Sequence, residues 1–90
     1  MKNENIELLK EKGIFSEKSE EEIRELQASV YLSEQEFVVF CLKEVLGEDF
    51  SHEEIGEKLD INAPTSGKYY SRAKDKIRRA ERTTELSKEL

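Results

Sequence analysis

A single cysteine, a single histidine and a single proline occur among these 90 residues, and tryptophan is missing altogether. One cysteine cannot build an internal disulfide framework, and Cys41, set inside an apolar run, reads as a small buried hydrophobe. That usage fits a reducing compartment, and a cytoplasmic setting is expected. One His with one Cys supplies no ligand cluster for a metal, so His52, near a helix start, reads as a surface residue of a capping turn. The chain also lacks a nucleophile motif and a glycine-rich phosphate loop. Neither enzymatic activity nor a cofactor or metal is expected. The longest apolar run, Phe37 to Leu42, is far too short to span a bilayer. No basic, apolar, small-residue signal opens the sequence, so no membrane partner is expected.

Uniform charge is lacking too. The formal net charge is -6, which gives no overall field to draw the chain to an anionic polymer. Yet residues 1–60 carry 7 Lys/Arg against 17 Asp/Glu, whereas residues 61–90 carry 8 against 4. A locally basic helix can still grip phosphates, so binding of DNA would be directional. With 36% hydrophobic residues, one small domain with a modest core is the expected scale, and a large catalytic cleft is not.

Helix punctuation is legible. Ser19 with Glu22, Ser33 with Glu36, and Ser51 with Glu54 each have the Ser-x-x-Glu spacing that satisfies exposed amides at a helix start. Gly13 and Gly47 stand after helix ends, where a left-handed residue is needed. These signals predict an all-α fold of five helices at about 4–12, 20–29, 34–46, 52–59 and 63–82. The third helix, apolar nearly all round from Phe37 to Leu42 and again at Val45 and Leu46, should be its central post. Ile14, Phe15, Val30, Tyr31 and Leu32 read as staples in the connections. Residues 1–31 form an acidic helical pair, 32–82 a second unit, and 83–90 a polar tail or helix extension.

The pattern from 51 to 79 carries most of the functional information. Ile55, Leu59 and Ile61 make one apolar stripe, and Gly56 beside it would let two helix backbones cross closely. Asp60 tolerates the left-handed conformation that the turn requires. Asn62 is placed to cap the fifth helix, and Pro64 suits its first turn. Tyr69 or Tyr70, Ala73, Ile77 and Ala80 supply the buried side of that helix. Lys68, Arg72, Lys76 and Arg79 lie elsewhere on it, with Lys74, Arg78 and Arg82. A short helix, a tight turn and a basic helix make a helix-turn-helix.

Three stretches resemble region 4 of bacterial RNA polymerase sigma factors, which recognises the promoter's minus 35 element: Leu32-Ser33-Glu34-Gln35-Glu36, Glu54-Ile55-Gly56-Glu57-Lys58-Leu59-Asp60-Ile61, and Ser71 to Arg79. The resemblance covers about residues 32–80 and implies that the fourth helix supports the fifth, which enters the major groove. It also implies RNA polymerase as a docking partner. Ser66 departs from the pattern, standing where the family usually places Val or Ile against the core; its anchoring then depends on Tyr69 and Tyr70 filling the space. Ala63, Pro64, Thr65 and Gly67 replace the long base-reading side chains. Small side chains offer mainly thymine-methyl contacts. The candidate DNA-binding residues are therefore Thr65, Lys68, Arg72, Lys76 and Arg79.

Two readings follow. The first is a small transcriptional regulator binding duplex DNA; the alternative is an adaptor that binds RNA polymerase or a sigma factor with little sequence reading.

Overall fold

Serine sets the start of three helices. In each, the hydroxyl accepts the amide of the residue three places on, and the glutamate there accepts the serine's own amide. The Ser19–Glu22 pair closes at 3.2 and 2.9 Å, Ser33–Glu36 at 3.2 and 3.0 Å, and Ser51–Glu54 at 3.1 and 3.2 Å. Each reciprocal pair satisfies two amides that helix geometry leaves without partners.

The computed structural model describes residues 1–79. Its five helices are α1 (Asn3–Glu11), α2 (Glu20–Ser29), α3 (Glu34–Leu46), α4 (His52–Leu59) and α5 (Ala63–Arg79), with a single 3-10 turn at Gly47–Asp49. No strand occurs among the described residues. The expected continuation to residue 82, with Ala80 and Arg82, and the tail at 83–90 lie outside them.

The α1 helix lacks a side-chain cap of its own and is tied to its neighbours instead. The Glu34 carboxylate, at the start of α3, accepts the Lys2 amide at 2.6 Å and the Asn5 side-chain amide at 2.7 Å. Arg24 of α2 reaches Asn3 Oδ1 at 2.7 Å. A short helix with little intrinsic stability is thereby fastened to two partners.

The core centres on α3, where Phe37, Val38, Val39, Cys41 and Leu42 are fully buried. Ile6, Leu9, Ile23, Ile55, Ala73 and Ile77 join the same cluster, so all five helices contribute to it. Phe15 stacks on Phe37 at 6.1 Å between ring centroids. The radius of gyration is 12.0 Å, close to the ~12 Å expected of one compact body of this length. The first two helices thus share a core with the rest.

Three expectations need correction. Tyr31 is not a buried staple: it is 69% exposed where the chain leaves α2 with φ at 57°, while Val30 and Leu32 on either side are buried. Val45 is 43% exposed, so of the two apolar residues in the last turn of α3 only Leu46 packs against the core. Gly56 does not serve a crossing of two helices. A Cβ at Gly56 would run into the backbone carbonyl oxygen of Ile61, in the turn that follows α4. There the Ile61 amide returns to the Gly56 carbonyl at 2.9 Å, and Asp60 adopts φ 58°, ψ 47°. The chain closes over its own helix end, and only glycine leaves room. Gly47 also has positive φ, but its ψ of -127° lies outside the left-handed helical well, in a region open to glycine.

Burial pushes the Cys41 thiol pKa well up, which keeps it protonated and unreactive. No helix among the described residues is long and apolar enough to cross a membrane.

Candidate nucleic-acid interface

The last helix is defined at both of its faces. At its start the Asn62 side-chain oxygen accepts the Thr65 amide at 2.8 Å, as a capping residue should. No acidic residue occupies the first turn, so the positive end of the helix dipole is not neutralised from within. Its inner face runs through Ser66, Ala73 and Ile77, all buried, with Tyr69 and Tyr70 both packed partly against the core. This face lies on α3 and α4.

Tyr70 is the busiest side chain of that face. Its hydroxyl donates to Glu44 at 2.8 Å, and its ring lies 6.1 Å from Phe40 and 6.0 Å from His52. The Lys74 ammonium covers the ring at 4.8 Å. Burial, the hydrogen bond to Glu44 and the charge of that carboxylate push the Tyr70 pKa up to about 12.

The candidate contacts Thr65, Lys68, Arg72, Lys76 and Arg79 follow one another at intervals of three or four residues. At 3.6 residues per turn they fall within about 80° of arc and extend over about 21 Å of helix. The structure leaves Lys68, Arg72, Lys76 and Arg79 exposed and Thr65 half-buried. Neither α1 nor α2 covers them. Asp75 stands at the edge of this stripe, three residues after Arg72 and four before Arg79, where it offsets part of the positive field. The acidic side chains Glu4, Glu7, Glu11, Glu20, Glu21, Glu22 and Glu25 are exposed on α1 and α2. The molecule therefore has a basic helix on one part of its surface and an acidic pair on another.

Lys76 differs from its neighbours in the stripe. Its ammonium donates to Glu36 Oε1 at 2.7 Å, and the Glu36 side chain is only 5% exposed against 50% for Lys76. Burial pushes the Glu36 pKa up, but the Lys76 ammonium and the Ser33 amide outweigh it, and the carboxyl is held below its usual range. A buried carboxylate that already caps α3 thus anchors one cation of α5. Lys68, Arg72 and Arg79 are the stripe's other exposed cations.

Two residues outside the expected set support the tip of α5. Ser66 is fully buried, and its hydroxyl lies 2.7 Å from Nδ1 of His52, the first residue of α4. The weak anchor expected of Ser66 is therefore a polar latch, with the Tyr70 ring beside it. His52 is correspondingly not a surface capping residue: it is half-buried, and burial together with the charge of Lys43 lowers its pKa. Lys43 itself donates to the carbonyls of Gly47 and Phe50 at 3.0 and 3.2 Å, which holds the connection leading into α4. The sequence carried a partial signal for the latch, since Ser66 shares its helical face with Tyr70, Ala73 and Ile77. Its partner, 14 residues earlier, had none.

The tip itself is bare. Pro64 is exposed, Ala63 is half-buried, and a Cβ placed on Gly67 would meet nothing within 4 Å. An open hollow of about 540 Å³ lies elsewhere, at the connection of α1 and α2, lined by Gly13, Phe15, Ser16, Glu17, Lys18 and Glu22. It does not adjoin the stripe. Among the described residues no group of three or more His, Cys, Asp or Glu side chains could hold a metal ion. Comparison with protein-family models, curated proteins and solved structures returned no match.

Proposed function

We propose that this chain is a small transcriptional regulator that binds duplex DNA through a sigma region 4-like helix-turn-helix, with α4 as support and α5 in the major groove. The observation that carries this reading is the exposed line of Lys68, Arg72 and Arg79 on the face of α5 turned away from its anchors on α3 and α4. Cations at this spacing grip phosphates along a groove, and phosphate contacts position a protein without specifying sequence. Base-edge contact would fall to Thr65 at the start of the helix, with Lys68 and Arg72 on the phosphates beside it.

Titrating a promoter-like duplex at several salt concentrations tests the reading. Removal of one phosphate-binding cation should flatten the plot of log affinity against log salt by about 0.9. Arg72→Ala and Lys68→Ala should each do so. No retention of any duplex at low salt would remove the proposal.

The bare tip favours a second reading, in which the same fold binds RNA polymerase or a sigma factor with little sequence reading. Exposed Pro64 and the open surroundings of Gly67 leave few long side chains for base edges. Capture of polymerase or sigma factor in the absence of DNA would favour this reading, and failure with both proteins would count against it.

A further inference from the structure

The His52–Ser66 bond joins the first residue of α4 to the first turn of α5, two residues from Lys68 and next to Thr65. We propose that His52 is a positioning residue for the interface: its hydrogen bond to Ser66 holds the tip of α5 against α4, and protonation of the imidazole loosens that tip. This rests on the DNA-binding reading of α5 and adds a regulation to it.

The chemistry follows from donor counting. With His52 neutral and its proton on Nε2, Nδ1 accepts the Ser66 hydroxyl, which is buried and needs an acceptor. When Nδ1 gains a proton it can only donate, the serine oxygen accepts across the 2.7 Å, and the serine's own proton loses its acceptor. The serine hydroxyl must then turn to the carbonyl four residues back, that of Asn62. That carbonyl already takes the Ser66 amide at 3.0 Å, and a serine bonding in this way bends its helix. The bend would fall in the turn that carries Thr65 and Lys68.

Surrounding charges oppose the imidazolium or are engaged elsewhere. From α3, Lys43 repels it, and Glu44 is taken by the Tyr70 hydroxyl. From α5, Tyr70 presents its ring, with Lys74 lying over it. On α4 itself Glu53, the next residue, is exposed to solvent. Burial and Lys43 both favour the neutral ring, so the serine proton rests on Nδ1 at neutral pH and is displaced on acidification below the ordinary histidine range.

Two variants test this beside the wild type. His52→Asn can place an amide oxygen near the position of Nδ1 and accept the serine proton without titrating. Ser66→Ala removes the latch and leaves the histidine. Binding of a mixed-sequence duplex at low salt, from pH 7.5 to 5.5, is measured together with amide chemical shifts of residues 63–68 and the imidazole titration. In the wild type, affinity should fall by about threefold or more relative to His52→Asn as the ring protonates, and the amide shifts should follow the ring's midpoint. In His52→Asn and Ser66→Ala the amides should not follow that midpoint. Coincident profiles for wild type and both variants would overturn the proposal. Should no duplex bind at any pH, the DNA reading fails, and the amide titration still decides whether the latch exists.

Discussion

Lys76 belongs to the basic stripe by position and to the core by contact, and Lys76→Ala tells which role dominates. Its ammonium lies 2.7 Å from a Glu36 oxygen that also accepts the Ser33 amide. Removing it leaves a nearly buried carboxylate with one fewer partner. A hydrogen bond to a charged group is worth about 1.5–3 kcal/mol, but Lys76 is half in solvent, where ion pairs fall to about 0.2–1 kcal/mol. A cost of about 1 kcal/mol is the balance of the two, which lowers Tm by about 4–8 °C in a domain of this size. The salt dependence of DNA binding should change by less than half of the roughly 0.9 expected for a free phosphate contact such as Arg72. Glu36→Gln separates the terms further. A glutamine keeps the capping oxygen of the Ser-x-x-Gln box while releasing Lys76, so duplex affinity should rise and its salt dependence steepen. Thermal unfolding by circular dichroism and salt-dependent binding on the same preparations provide both readouts. An unchanged Tm for Lys76→Ala, with a salt slope reduced as much as by Arg72→Ala, would refute the assignment of Lys76 to the core.

Two further outcomes follow from the same contacts. Gly56→Ala should destabilise the fold despite the ~1 kcal/mol that alanine gains in helix propensity; forcing a Cβ against the Ile61 carbonyl costs about 1–3 kcal/mol or more, because that carbonyl belongs to the closed turn after α4 and has no flexible end to move. A higher melting temperature in the variant would count against the close approach. Stability should also fall in acid through Glu36. Its carboxyl is held below the ordinary range in the fold, so its contribution is complete above the unfolded-chain pKa and is lost as pH falls through the lower folded value. Urea midpoints between about pH 5 and pH 3 should drop further for the wild type than for Glu36→Gln, and parallel curves would contradict this linkage.

Much of the architecture was legible because its determinants are local. A serine three residues before a glutamate makes a helix start wherever water would otherwise be the amide's only partner, and all three such pairs close in this chain. Asp60 in the left-handed region and Asn62 over the start of α5 follow from short-range geometry in the same way. The candidate stripe was legible too, since spacing along a helix places Lys68, Arg72, Lys76 and Arg79 on one side. Tyr31 was misjudged because hydrophobicity alone does not say which way a positive-φ residue turns its side chain.

The sequence by itself determined the helices, their starts and the line of basic residues on α5, since each rests on neighbours within a turn or two of chain. Only the tertiary structure decided what those residues touch. Glu36 and Lys76 are 40 residues apart, and His52 and Ser66 are 14 apart; no periodicity links either pair, and they meet because a shared apolar core sets α3, α4 and α5 against one another. That packing turned a serine that looked like a defect into a latch. It also drew one cation of the stripe inward, leaving Lys68, Arg72 and Arg79 as its outward charges.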